Sequence, residues 1–459
     1  MDPFWEGLLW FLVVSLAWFG FLWLLWRAGK IERPDDTQKE SFGLALMGPF
    51  LMWKTGKGRA LIDRLARRVR FWRGFGDLSL VLVGIAMVAM TALLAWLAVL
   101  VVNIPPGREP SPQMLLGLPG INPLIPIWYG IFGLAVAIII HEFCHGILAR
   151  SSKVRVNSLG LLLYVVPVGA FVEPDEGEMK AMPRRERARL YAAGPAVNLL
   201  FALVMAVLFS SVFMASVTPV AEGVGITEVS PGGPAEGIGL RPGVIILSVN
   251  DNATSDYRAF FDTMAGTRAN QTVNLTYTAK GMAAPVSTSV VLADAAQFTG
   301  NETRRGKGFL GVTAFPVKLT TAYFHPIGGA DEFGSLPQSL IAYISLPFVG
   351  LQPMQGVAAE FFVVSGPLAG LGEGAFWILA NVTYWLFWLN LMLGMTNALP
   401  AVPLDGGYIF RDGLHALIAR VRSGMAAEAR EKVVKNVSYV FALLILALIL
   451  WQFIGPRIF

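Results

Sequence analysis

The sequence predicts a polytopic α-helical membrane protein of about six transmembrane helices with an inserted extracytoplasmic α+β domain, and three observations carry that prediction. The 459 residues are 55% hydrophobic and 15% charged, with a mean hydropathy of +0.58, which is too apolar for a soluble globular chain. Six apolar runs of about twenty residues occur, at 5–26, 78–102, 127–149, 188–217, 374–396 and 435–454. Between the fourth and fifth lies a polar stretch of short alternating β patterns punctuated by Gly and Pro.

The first run is too long and too rich in Trp for a signal peptide and has no small-residue cleavage site, so a retained helix is expected. Residues 27–77 follow with twelve Lys or Arg, including "RLARRVRFWR", whereas 103–125 carry only Arg108. The positive-inside rule puts the first loop in the cytoplasm and the second outside. The third run then travels inward, the basic loop 150–187 lies inside, and the fourth run delivers 218–335 to the external face. Asn252, Asn270, Asn274 and Asn301 each begin an Asn-x-Ser/Thr triplet there, compatible with an external domain. The net charge of +5 is confined to such loops, which argues for membrane topology and against a nucleic-acid partner. A single cysteine, Cys144, excludes an internal disulfide framework and a cysteine-rich metal site.

Three apolar stretches are read as surface-lying or re-entrant. "LIAYISLPFVGL" at 340–351 is broken by Pro347, and "AAEFFVVSGPLAG" at 358–370 by Gly366 and Pro367. "SLGLLLYVVPVGAFVEP" at 158–174, β-branched and interrupted by Pro167 and Gly169, is expected to form an extended hairpin, since non-helical backbone at membrane depth is tolerated beside protein or a water-filled cavity. The resulting division is an N-terminal two-span region with its basic loop (1–103), the first core segment (127–217), the external domain (218–313), a linker (314–373), the second core segment (374–415) and a C-terminal amphipathic segment with the last span (416–459).

The chemistry concentrates in "HEFCH" at the end of the third run. The chain has four histidines, and two of them, His141 and His145, stand one helical turn apart. Both imidazoles can hold one zinc ion, and Glu142, about 100° round the helix, is placed to act as a base on a water beside it. A helix-terminal cluster of capping and snorkelling side chains is the plainer alternative, but charged groups in a span are expensive without a function. A catalytic zinc takes three protein ligands and leaves one position open. Asp405, in "NALPAVPLDGGYIF", is the preferred third ligand because parity puts it at the same end as His141, ahead of His325 and His415, although Pro403-Leu404-Asp405-Gly406 is also ordinary turn chemistry.

With these residues the chain resembles the site-2 protease family of intramembrane zinc metalloproteases. "HEFCH", the Asn397-x-x-Pro400-x-x-x-x-Asp405-Gly406 segment, "AAGPAVNLL" at 192–200 and "VSGPLAG" at 364–370 carry the likeness over roughly 127–415. The resemblance implies His141, His145 and Asp405 as zinc ligands, Glu142 as general base, and Asn397 as a group that orients substrate or stabilises the oxyanion. Asn397 and Asn198 have the alternative of hydrogen bonding between helices. The region 223–305 is similar to a PDZ domain, a module that adds a peptide strand to a sheet edge. It implies either access control or recruitment, and its tether at both ends favours access control.

The implied activity is hydrolysis of membrane-anchored protein substrates within or near the bilayer. A metal-binding transporter and an inactive scaffold are the alternatives. Transporters often show internal repeats, which are not apparent here, and a structural zinc site has no use for Glu142.

Overall fold

A computed structural model describes residues 3–32, 43–104, 110–115, 117–348, 354 and 356–458. Arg108, Arg33, Lys39 and the end of the expected 340–351 stretch (349–351) lie outside the described residues. The chain divides into two compact units, one formed by Met1–Leu203 with Leu386–Phe459 and the other by Val204–Trp385.

The first unit opens with helix α1 (Pro3–Arg27), followed by strands β1 (Ile31–Glu32), β2 (Gly43–Met47) and β3 (Phe50–Thr55), the short α2 (Arg59–Ala66) and the long α3 (Val69–Leu100). Next come α4 (Ile127–Ser151), strands β4 (Val156–Tyr164) and β5 (Val166–Pro174), α5 (Glu176–Ala181) and α6 (Arg184–Leu208). Pro126 precedes α4 in extended backbone, which suits a helix start, and Lys153 at φ 69° turns the chain out of it. The hairpin expected at 158–174 is observed, with β4 and β5 antiparallel.

That hairpin belongs to a larger sheet of order β1-β2-β3-β4-β5. Residues 27–77, expected to form a basic loop, instead supply in their described part three strands, α2 and the first turns of α3. Gly48, at φ +60°, closes the β2–β3 turn, a conformation that suits glycine. Lys54 in β3 is buried at 3% exposure, its Nζ 3.3 Å from Glu173 Oε2 in β5, and Ser158 Oγ of β4 donates to the same oxygen at 2.6 Å. One carboxylate thus ties three strands together. Lys54→Ala should raise amide exchange in β3–β5 about tenfold to a hundredfold, as loss of a charged hydrogen-bond partner worth about 1–3 kcal/mol implies. Exchange in α3 should stay unchanged, and equal exchange in β5 would show that the ion pair does not hold the sheet.

The second unit carries the α+β domain, in the order β6 (Val217–Pro219), β7 (Val224–Val229), α7 (Pro234–Gly237), β8 (Val244–Val249), β9 (Asn252–Ala253), α8 (Tyr257–Ala265), β10 (Thr272–Ala279), β11 (Val286–Val291), β12 (Ala293–Asp294), α9 (Ala295–Thr299), β13 (Gly308–Phe309) and β14 (Val312–Pro316). The main sheet runs β11-β10-β8-β7-β14, with β9 on β8. The strand, small helix, strand, longer helix and two β runs expected at 223–291 all occur. Alternate side chains, among them Val224, Ile226, Ile246, Val273 and Leu275, meet Phe260 of α8 in one core. Helices α10 (Val317–Phe324), α11 (Ala330–Phe333), α12 (Leu336–Ser345) and α13 (Val357–Glu360) and strand β15 (Phe362–Val364) follow, and β15 pairs with β6. Helix α14 (Glu373–Asn397) leads back to the first unit, which ends with α15 (Asp405–Val421) and α16 (Ala427–Ile458).

Five helical stretches are long and apolar enough to cross a membrane: Val69–Asn103, Ile127–Ser151, Arg184–Ser216, Glu373–Asn397 and Ala427–Ile458. The expected count of six therefore stands at five among the described residues, with α1 represented by the shorter apolar stretch Leu12–Arg27. One charge pair ties two of these stretches together. Asp77 of α3 accepts two hydrogen bonds from the Arg189 guanidinium of α6, at 2.9 and 2.7 Å, so neither charge is left alone in apolar surroundings.

Candidate metal centre

The last turns of α4 bring His141 and His145 to one face of the helix, their rings 4.8 Å apart and nearly perpendicular. Both are buried, at 6% and 9% exposure. His145 donates from Nδ1 to the Leu190 carbonyl of α6 at 2.8 Å. That bond places the proton on Nδ1 and leaves the Nε2 lone pair for the site.

Asp405 opens α15, and its carboxylate reaches both histidines. Its Oδ2 lies 3.1 Å from His141 Nε2 and 3.3 Å from His145 Nε2. The three side chains form a group whose ligand atoms all lie within 4.8 Å of one another.

These donors suit zinc. Four-coordinate zinc binds nitrogen and oxygen at about 2.0–2.2 Å, which corresponds to donor-to-donor edges of about 3.3–3.6 Å, close to the spacings here. The donor set of two imidazole nitrogens and one carboxylate oxygen is one that zinc takes in hydrolytic sites. Space around the donors is kept open by Gly194 of α6. A Cβ there would fall 2.4 Å from His145 Nε2 and 2.6 Å from His141 Nε2, closer than real Cβ contacts.

Glu142 projects beside the histidines, and its Oε2 accepts the Val172 N–H of β5 at 3.2 Å. Strand β5 is last in its sheet, so its outer edge has no strand partner among the described residues. A cavity of about 290 Å³ is lined by His141, Glu142, His145, Asn397, Pro403 and Asp405, together with Ile138 and Leu393. All five residues singled out in the sequence therefore border one cavity. Asn198 does not line it: it is fully buried in α6, and neither of its amide atoms has a hydrogen-bond partner among the described residues. Sequence reasoning missed the Leu190 carbonyl and the Val172 N–H, which are backbone groups with no side-chain signature. Within "AAGPAVNLL", Gly194 makes room for the histidines, a role that its sequence context does not reveal.

Comparison with known proteins bears on this site. The family model described as Peptidase family M50 matches residues 129–446. An uncharacterized protein of Methanocaldococcus jannaschii is 23% identical over 82% of this chain and 80% of its own length. A Rhizobium meliloti protein named "Putative zinc metalloprotease" is 23% identical over 63% of this chain and 87% of its own, and a Mycobacterium tuberculosis protein of the same description is 33% identical over 28% and 30%. A solved PDZ domain of a Listeria monocytogenes protein aligns at 21% identity with 21% of this chain and 92% of its own, with a TM-score of 0.18.

Proposed function

The chain belongs to peptidase family M50, the site-2 protease family, with zinc as its metal, and from that premise we propose that it hydrolyses peptide bonds of membrane-anchored proteins within or near the bilayer. The observation that carries the proposal is the convergence of His141, His145, Asp405 and Glu142 on one cavity beside a strand edge that has no strand partner among the described residues, among helices apolar enough to span a membrane.

His141, His145 and Asp405 would hold the metal. When bound, zinc supplies a Lewis acid that acidifies water and polarises a carbonyl. The chain's own groups do the rest. Glu142 accepts the proton of the attacking water as its oxygen bonds to the peptide carbon, and returns that proton to the departing nitrogen. The Asn397 amide, on the same cavity wall, donates toward the carbonyl oxygen as negative charge develops there. A substrate helix conceals its amides in its own hydrogen bonds and must be extended before attack. The outer edge of β5 suits that task, because an added strand would gain main-chain hydrogen bonds next to Glu142.

The test is cleavage of a single-span substrate by the purified full chain, with the cut mapped. Cleavage in or beside the span, abolished by chelation and restored by zinc, is the expected result. A protein that binds zinc yet cuts no span-containing substrate would overturn the assignment and return the scaffold alternative. His141→Ala, His145→Ala and Asp405→Ala should each lower bound zinc from about one per chain to near zero, because each removes one of three protein ligands. An Asp405→Ala chain that keeps its zinc would place the third ligand elsewhere.

The sidedness proposed for the protein puts the metal site toward the cytoplasm and residues 223–305 outside. In a Cys144→Ser background, single cysteines at 151–157 should react only with cytoplasmic reagent and those at 223–305 only with external reagent. Labelling of 223–305 from the cytoplasm would reverse the orientation.

A further inference from the structure

Arg184, Arg187 and Tyr191 stand at steps of three and four residues along the first turns of α6, a spacing that puts them on one helix face. Their partners lie on α15 in reverse order. Arg184 Nη2 donates to His415 Nε2 at 3.0 Å. Arg187 Nε donates to Asp412 Oδ2 at 2.9 Å, and its Nη2 donates to the other carboxylate oxygen. The Tyr191 ring stacks on Tyr408, with centroids 4.8 Å apart and planes 16° from parallel. Each step along α6 is thus matched by an equal step back along α15, as in an antiparallel pair of helices. One further step of three on each helix sets Gly194 opposite Asp405. Those two positions do meet the same pair of nitrogens. A Cβ on Gly194 would fall beside His141 Nε2 and His145 Nε2, and the Asp405 carboxylate lies 3.1 and 3.3 Å from them.

The ladder bridges a gap. All six of its side chains border a cavity of about 560 Å³, so at this level long side chains, rather than close-packed backbone, carry the contact between α6 and α15. Where α15 begins is set by another device. Cβ atoms on Gly406 and Gly407 would collide with backbone of Ala398, Leu399, Ala401 and Val402, so the first turn closes tightly on the preceding segment. A fixed start leaves rotation about the helix axis undetermined, and that rotation decides where Asp405 aims its carboxylate. The charged rung restricts it, because Asp412 is 8% exposed and its paired bonds accept one orientation of the guanidinium fork. The aromatic rung restricts it again by holding two flat faces together.

We propose that Arg187, Asp412, Tyr191 and Tyr408 are positioning residues for the metal: they fix the rotation of α15 and so hold the Asp405 carboxylate against the site that His141 and His145 form. The proposal rests on the reading of those three side chains as the zinc ligands, and adds the groups that keep them together. None of the four is itself a ligand. His145 gains from the same contact, since the carbonyl that accepts from its Nδ1 belongs to Leu190, the neighbour of Tyr191. Outer groups that orient ligands contribute about tenfold to a hundredfold in metal affinity.

The experiment measures zinc affinity of the purified full chain by competition with a chromogenic chelator, beside its unfolding temperature and the visible spectrum of the cobalt-substituted protein, which reports ligand geometry. Tyr408→Ala and Arg187→Gln should each lower zinc affinity about tenfold or more and alter the cobalt spectrum. Tyr408→Phe keeps the stacked face and should stay within about twofold of the parent. Should Arg187→Gln fail to fold with Asp412 left alone, the double variant Arg187→Gln/Asp412→Asn, which buries no lone charge, carries the same expectation. Arg189→Gln is the control: it breaks an ion pair from the same helix to Asp77 of α3, so the unfolding temperature should fall while zinc affinity holds. Unchanged zinc affinity in the folded ladder variants, a loss in Tyr408→Phe equal to that in Tyr408→Ala, or an equal loss in Arg189→Gln would overturn the proposal. Asp405→Ala in the same assay separates two failures. If it loses zinc while the ladder variants keep theirs, the ladder alone is refuted; if it keeps zinc, the ligand set falls and the ladder with it.

Discussion

Glu142→Gln should leave about one zinc per chain and remove hydrolysis. The substitution changes the charge and basicity of one side chain and little else. The amide oxygen it introduces can still accept the Val172 N–H that Glu142 Oε2 now holds at 3.2 Å, so the position of β5 is kept. The three metal-binding side chains, His141, His145 and Asp405, do not depend on Glu142 for any hydrogen bond the structure shows. What disappears is the ability to take a proton from water and return it to the leaving nitrogen. General acid–base catalysis contributes about 10²–10⁴-fold, and loss of the same group in both roles puts the fall at the upper end of that range or beyond. Single-turnover cleavage of a single-span substrate, read beside metal analysis of the same preparation, checks both halves. Retained cleavage would remove Glu142 from the chemistry, whereas lost zinc would make it a structural support of the site.

Much of this site was legible in the sequence for a physical reason. A helix puts residues four apart on one face, so "HEFCH" states its own geometry once it is known to be helical. Asp405 is 264 positions beyond His141, and topology brought it near, since successive crossings of a bilayer restrict which ends can meet. Its carboxylate lies 3.1 and 3.3 Å from the two imidazoles. The strands before α2 were missed because Lys and Arg counts in 27–77 are read as loop composition. The alternation in "GLALMGPFLMWKT", with Gly48 and Pro49 at its centre, is a hairpin signal that the charge pattern concealed. Lys54 shows the same limit: the sequence marks it as one more cytoplasmic charge, and the structure buries it against Glu173. Backbone partners such as the Leu190 carbonyl leave no trace in a sequence at all.

Gly194→Ala should be the most damaging single-methyl change in the protein's metal chemistry, and it separates site geometry from helix stability. In the interior of a helix, alanine is favoured over glycine by about 1 kcal/mol, so α6 itself gains from the change. The added carbon would sit 2.4 Å from His145 Nε2 and 2.6 Å from His141 Nε2. These are the two nitrogens that face Asp405, and they are not the ends of flexible chains. His145 is pinned by its bond to Leu190, one turn earlier on the same helix as Gly194, so it cannot retreat without breaking that bond. Either the rings rotate and carry their lone pairs away from Asp405, or α6 moves back from α4. Each outcome spoils the three-donor spacing that a small cation needs. Zinc affinity should fall about 100-fold or more, the upper end of what loss of a ligand-orienting partner produces, and peptidase activity should fall with it. Helix content by circular dichroism should stay unchanged or rise slightly. Gly84→Ala in α3 is the control, because a Cβ there meets nothing within 4 Å while the gain in helix propensity is the same. It should keep zinc and activity. If Gly194→Ala also keeps both, the histidines have more room than their positions allow, and the proposed ligand set would have to be abandoned even though the family assignment stands.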